Sequence, residues 1–353
     1  MKLTISPLLL LSLPLAIAAI SPAPSCPAKN VTIPALDPIT QAWVDAGSGN
    51  IPISQMTISE ARIAYDVMAG NVSNPPSADE ITTKILYLPV GPTGNVTVYL
   101  YKPGSGYREE EDKGLLPVVV YFHGGGWITG GPKSYEGLAY DLVRETGAAV
   151  FFVDYARSPE VVYPVPTEQC YSAVQWLLEH GEELGVDSTK MGFAGDSAGQ
   201  TSAAVTLLSI KRRTPLPKYQ VLFYPITDLS CESPTYKEYA QGPGLTVDAI
   251  RYSISLFAPD VKSRFEDIAS PARASDEDLA KFPETLIIVA EVDPLVHDGE
   301  EFGRRLQKLG VRAATIRVLG IIHGFANINP LNETPEGKAA IELMGLKLKK
   351  ALW

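Results

Sequence analysis

Within the 353 residues of this chain, Gly195-Asp196-Ser197-Ala198-Gly199 constrains the fold more than any other segment. A strand-like run, Lys190-Met191-Gly192-Phe193-Ala194, leads into it, and a helix-like run from Gln200 to Lys211 follows. The pattern G-x-S-x-G in that setting predicts a strand, a sharp turn and a helix. Glycine is needed on both sides because the turn is tight and a Cβ there would meet neighbouring backbone. Such a turn lifts the Ser197 hydroxyl clear of the sheet, at a helix N-terminus whose dipole favours developing negative charge. A lone match to this pattern is weak, since any small-residue turn entering a helix looks similar.

Three further segments strengthen the reading. Leu116-Pro117-Val118-Val119-Val120-Tyr121-Phe122 is an apolar, β-branched run, hence a buried strand, and it enters His123-Gly124-Gly125-Gly126-Trp127. Consecutive glycines at a strand end leave backbone N–H groups able to approach a ligand and stabilise an oxyanion. The expected donors are Gly124 and Gly125, joined by Ala198 after the serine. A second buried strand, Glu284–Ala290, ends at Glu291-Val292-Asp293-Pro294-Leu295-Val296-His297-Asp298-Gly299. Open α/β sheets place their sites at the carboxyl ends of strands. Asp298 is expected to act as N-cap of a helix over Gly299–Leu309, and Glu291 still belongs to the strand. That leaves Asp293, fixed by the following proline, as the acid.

The chain has four histidines. His180 ends an amphipathic helix (Thr167–Leu184), His123 belongs to the glycine loop, and His297 lies at the start of a helix. His323 follows the strand Ala314–Leu319 in a loop that can hang over Ser197. An imidazole titrates near operating pH, so it can take the serine proton and return it to a leaving group. Asp293 would fix its tautomer and stabilise the imidazolium.

The order serine, aspartate, histidine is that of α/β-hydrolases and differs from the chymotrypsin and subtilisin orders. Taken with His123-Gly124-Gly125-Gly126-Trp127, Gly195-Asp196-Ser197-Ala198-Gly199, Asp293-Pro294-Leu295, Asp298-Gly299, His323-Gly324-Phe325 and Val153-Asp154-Tyr155, it resembles the hormone-sensitive-lipase-like carboxylesterases over roughly residues 80–353. The resemblance implies that Ser197 is the nucleophile, Asp293 the acid and His323 the base. Gly124, Gly125 and Ala198 would be the oxyanion donors, and Trp127 and Tyr155 would line the substrate pocket. No cofactor is implied. Two segments depart from the family: Gln200 stands where a further glycine is usual, and Ala156-Arg157-Ser158-Pro159 replaces Arg-Leu-Ala-Pro.

Strand candidates at 81–89, 96–102, 116–122, 148–154, 189–194, 219–225, 284–290 and 313–319 alternate with helical stretches from residue 81 onward. This predicts a mostly parallel α/β sheet flanked by helices. Residues 1–19 read as a signal peptide, with Lys2, an apolar run from Leu8 to Ile20 and small residues near the end. Residues 20–80 form an N-terminal extension and 81–353 the catalytic domain, with 230–282 as an insertion; extension and insertion together would cap the site. Four sequons, at Asn30, Asn71, Asn95 and Asn332, agree with a secreted glycoprotein.

Three cysteines permit one disulfide and one free thiol. Cys170 sits on a helix as a small buried hydrophobe, and a bridge between Cys26 and Cys231 is the expected pair. No metal-ligand spacing is present. A net charge of −10 argues against nucleic acid or anionic membrane as partner. The apolar run near the N-terminus is too short for a stable membrane anchor. The expected partner is a small-molecule ester. A transferase or cyclase would use the same acyl-enzyme with a different acceptor, and a non-catalytic binding protein would keep the pocket; sequence does not separate these from hydrolysis.

Overall fold

A computed structural model describes residues 34–47, 52–70, 72, 75–107 and 114–353. The expected signal peptide, Cys26 with its expected bridge to Cys231, Asn30, Asn71 and the charged loop 108–113 lie outside the described residues. Among the described residues Cys170 and Cys231 are free thiols, and no helix is long and apolar enough to cross a membrane.

Eight strands form one sheet: β1 (Ile81–Leu88), β2 (Val96–Pro103), β3 (Leu116–Phe122), β4 (Ala149–Asp154), β5 (Val186–Asp196), β6 (Tyr219–Phe223), β7 (Glu284–Val292) and β8 (Ala313–Ile322). Their spatial order is β1-β2-β4-β3-β5-β6-β7-β8. The β1–β2 and β2–β4 pairs are antiparallel, and every later pair is parallel. All eight coincide with the strand candidates, β5 beginning three residues earlier.

Among the described residues ten helices complete the layers: α1 (Pro38–Gly47), α2 (Ile58–Ala69), α3 (Pro132–Thr146), α4 (Val165–His180), α5 (Thr201–Arg212), α6 (Pro234–Glu238), α7 (Val247–Phe257), α8 (Asp276–Leu279), α9 (Val296–Lys308) and α10 (Pro335–Leu352). Every residue of β3 and β6 is buried, as expected of parallel strands covered on both faces. The edge strand β8 alternates partly exposed and exposed residues until its buried end. Burying one Val, Leu or Phe side chain contributes about 1.5–3 kcal/mol, so these central strands anchor the sheet.

Helix α2 lies in the N-terminal extension. It starts at a capping box, in which Thr57 Oγ1 accepts from Glu60 N (3.2 Å) and Glu60 Oε2 accepts from Thr57 N (2.8 Å). It stops at Gly70, whose φ of 78° suits glycine. The 230–282 segment carries α6, α7 and α8. The turn Ile53–Gln55 packs against α7, so extension and insertion meet.

Helix α9 corrects one expectation. It opens at Val296, not at Gly299, because Asp293 organises the turn before it: Leu295 N donates to Asp293 Oδ1 (2.9 Å) and Val296 N to the Asp293 carbonyl (3.1 Å). Asp298 is therefore no N-cap. It lies inside the first turn, buried, and its Oδ2 meets no partner among the described residues. Burial pushes its carboxyl up to about 8. The folded state then keeps a proton that the unfolded chain releases near pH 4, and stability falls as pH rises from about 4 towards 8. Asp298→Asn removes this dependence. Thermal unfolding scans should show the variant melting above the parent at pH 8, with the gap shrinking at pH 5; a gap independent of pH would contradict the buried neutral acid.

Candidate active site

Strand β5 ends at Asp196, and Ser197 takes φ = 55°, a left-handed conformation that non-glycine residues rarely adopt. Strain of this kind persists only where the surroundings enforce it. Here the enforcement is steric. A Cβ on Gly195 would strike the Gly199 carbonyl, and one on Gly199 would strike the Phe122 carbonyl at the end of β3. A 3₁₀ turn, Ser197–Gln200, then leads into α5.

His323 directly follows β8, and Asp293 directly follows β7. His323 Nε2 lies 2.8 Å from Ser197 Oγ, and His323 Nδ1 lies 2.7 Å from Asp293 Oδ2. With the carboxylate accepting, Nδ1 carries the proton and Nε2 receives the serine O–H. Asp293 is fully buried, and its Oδ1 is taken by Leu295 N, so both carboxylate oxygens are directed. The other two acids considered do not reach His323: Glu291 Oε2 accepts from Gly320 N (2.8 Å), and Asp298 sits in α9. His180 bonds Glu183 at the end of α4, and His297 is the second residue of α9.

His123 is buried against Tyr155 (ring centroids 4.2 Å apart) and Phe152 (5.4 Å). Burial lowers its imidazole to about 3, with help from the Arg157 cation, so the ring is neutral. Its Nδ1 is 2.8 Å from the Gly124 carbonyl, which it can serve only as donor.

The glycine loop departs from expectation at Gly124. The Gly124 N–H donates to Asp196 Oδ1 (2.8 Å), so it is spent and unavailable to a ligand. The N–H groups of Gly125 and Gly126 have no hydrogen-bond partner among the described residues. Ala198 lies in the first turn of a helical segment, where N–H groups have no acceptor within the helix. The free donors are therefore Gly125, Gly126 and Ala198. Gly125 and Gly126 adopt φ of 94° and 62°, which turns their amides away from the strand.

Trp127 and Tyr155 also differ from expectation. Each is only 1% exposed and so offers almost no wall to a ligand. Tyr155 supports the loop from below, its hydroxyl donating to the His123 carbonyl (2.7 Å). Trp127 stacks on Phe257 of α7 (centroids 4.2 Å apart) and ties the loop to the 230–282 segment. Gln200 is buried, and its Nε2 bonds the Ala269 carbonyl (3.3 Å), joining the serine turn to the same segment.

Sequence reading missed several supporting residues. Arg62 of α2 donates from Nε to the Ile128 carbonyl (2.9 Å) and from Nη2 to the Ser158 carbonyl (3.2 Å), while its fork holds Glu160 at 2.7 and 2.8 Å. Asp196 gathers Tyr121, Tyr135 and Gly124. Position 196 is adjacent to the serine, which was a usable signal; nothing local marked Arg62 or the tyrosines.

Known proteins share this arrangement of chain. A family model described as the alpha/beta hydrolase fold matches residues 119–327. An esterase of Gibberella moniliformis is 37% identical over 276 residues, covering 77% of this chain and 85% of that protein. The ethyl acetate hydrolase of Pseudomonas putida is 27% identical over 295 residues, covering 81% and 89%. The crystal structure of carboxyl esterase 2 from the mycorrhizal fungus Tuber melanosporum is 66% identical, superposes with a TM-score of 0.84, and covers 90% of this chain and 100% of that one. With its eight-stranded, mostly parallel sheet and with esterases matched along most of its length, the chain belongs to the alpha/beta hydrolase fold family, among the hormone-sensitive-lipase-like carboxylesterases, and is a carboxylic ester hydrolase.

Proposed function

We propose that the protein is a serine carboxylesterase that hydrolyses small esters, short acyl chains preferred, through an acyl-enzyme on Ser197. The observation that carries this reading is the unbroken line from Asp293 Oδ2 through His323 to Ser197 Oγ, at 2.7 and 2.8 Å. Ser197 Oγ attacks the ester carbonyl as its proton passes to His323 Nε2. The carbonyl oxygen becomes an oxyanion held by Gly125, Gly126 and Ala198. The imidazolium, stabilised by Asp293, gives its proton to the departing alcohol. Water, deprotonated by the same imidazole, attacks the acyl-enzyme, and Ser197 recovers its proton as the acid leaves. The name of the Pseudomonas putida relative, an ethyl acetate hydrolase, supports the short-chain preference.

We also propose passage through the secretory pathway, on the strength of residues 1–19 and the sequons. Asn95 is exposed at the start of β2 and suits a glycan. Asn332 suits one poorly: its Oδ1 is enclosed without a partner, and the sequon hydroxyl, Thr334 Oγ1, is buried as the cap of α10, accepting from Gly337 N (3.0 Å).

Ser197→Ala should lower hydrolysis of p-nitrophenyl esters by at least about a thousandfold without unfolding the protein. In the parent, turnover should decline from acetate and butyrate to octanoate and palmitate; a palmitate optimum would reject the short-chain reading. Asp293→Asn should cost about ten-thousandfold in kcat by supplying the wrong tautomer, while Asp298→Asn stays within about threefold of the parent. In material secreted from a eukaryotic host, mass spectrometry should find a glycan lost in Asn95→Gln and none lost in Asn332→Gln.

A further inference from the structure

Asp196 is a buried carboxylate, 1% exposed, without a cation within ion-pair distance. Burying a charge in this way is costly, and burial pushes its carboxyl up to about 6. Three donors offset part of that cost. Tyr121 Oη (2.9 Å) and Gly124 N (2.8 Å) donate to Oδ1, and Tyr135 Oη (2.9 Å) donates to Oδ2. The donors come from β3, the glycine loop and α3, while Asp196 itself is bonded through the backbone to Ser197.

The network continues outwards in one direction. Because the Tyr135 proton is committed to Asp196, Tyr65 of α2 must donate to Tyr135 Oη (3.0 Å). Tyr65 Oη in turn accepts from Asn327 Nδ2 (3.2 Å), four residues beyond His323. Every proton in this chain points towards Asp196, an arrangement in which successive bonds polarise one another. The crowding is equally specific. A Cβ on Gly124 would lie 2.5 Å from Asp196 Oδ2 and 2.8 Å from Tyr135 Oη, so the loop can approach the carboxylate this closely only with glycine.

We propose that Asp196 is the positioning residue of the oxyanion loop. By consuming the Gly124 N–H it fixes where the loop leaves β3, so that the next two amides, of Gly125 and Gly126, stand free beside Ser197. Through Tyr135 and Tyr65 it makes helix α2 of the N-terminal extension part of the catalytic framework. Asp196 touches no reacting atom; it acts through the loop. The inference rests on the triad and oxyanion reading given above.

The test uses the whole protein and two variants, Asp196→Asn and Tyr65→Phe. The readouts are kcat and KM on p-nitrophenyl butyrate, the inhibition constant of an alkyl trifluoromethyl ketone, which forms a reversible tetrahedral adduct, thermal melting, and labelling of Ser197 by a fluorophosphonate. Misplacing a catalytic contact by about 1 Å costs about a hundredfold, and losing an oxyanion donor a hundred- to thousandfold. Asp196→Asn should accordingly lower kcat about ten- to hundredfold with KM within about threefold, and weaken the ketone by a similar factor. Tyr65→Phe should show the same pattern at about two- to fivefold, with melting close to the parent. If folded Asp196→Asn keeps the parent kcat and ketone affinity, the proposal is overturned. If Asp196→Asn does not fold, Tyr65→Phe decides: unchanged kcat and ketone affinity overturn the proposal, and a parallel loss in both upholds it. A parent protein that hydrolyses the ester but takes no label on Ser197 would instead overturn the triad reading, and this inference with it.

Discussion

Strands β3 and β5 run parallel and adjacent, with Phe122 opposite Gly195 at their carboxyl ends. Because the two strands finish at the same level, the loop that leaves β3 and the turn that leaves β5 must share one space. Neither Gly195 nor Gly199 tolerates a Cβ, since each packs backbone against backbone there. The left-handed Ser197 is the result of that squeeze. The parallel register of β7 and β8 against this pair then delivers Asp293 and His323 from the same end of the sheet. The chemistry occupies loops, but the sheet sets its geometry.

Three buried aspartates show how differently one side chain is used around this centre. Asp293 is directed by an imidazole and a backbone amide. Asp196 has no basic partner and is satisfied by two phenols and an amide. Asp298 is left with an unpartnered oxygen and holds its proton to about pH 8. Burial pushes the Asp196 and Asp298 carboxyls up, and the three sites differ in their supply of donors. Only the first arrangement also places an imidazole between the carboxylate and a serine hydroxyl, which is why proximity to a strand end does not by itself identify the acid.

The sheet and the triad candidates were legible because each depends on short-range pattern: apolar β-branched runs, glycines flanking a serine, an acid and a histidine just beyond strand ends. The errors share a different origin. Assigning Gly124 as a donor failed because the fate of its N–H is decided by Asp196, 72 residues away. Trp127 and Tyr155 were expected in the pocket on family resemblance, yet stacking on Phe257 and His123 turns them inward. Asp298 read as a cap because acids favour helix starts, but Asp293 opened the helix three residues earlier. In each case a tertiary contact outweighed a local preference.

Substrate preference is the least legible property, because two segments distant in sequence, the N-terminal extension and residues 230–282, both contact the chain that follows β3. Arg62 and Tyr65 of α2 hold the Ile128 carbonyl and Tyr135. Ser253 of α7 stands so close to Gly126 that a Cβ there would lie 2.7 Å from its hydroxyl. Gly244, just before α7, lies against Ile322, the residue preceding His323. A change in either segment therefore reaches the glycine loop or Ile322, next to His323, through direct contact. Substitutions in these segments therefore act on the supports of the Ser197–His323–Asp293 geometry as well as on its surroundings.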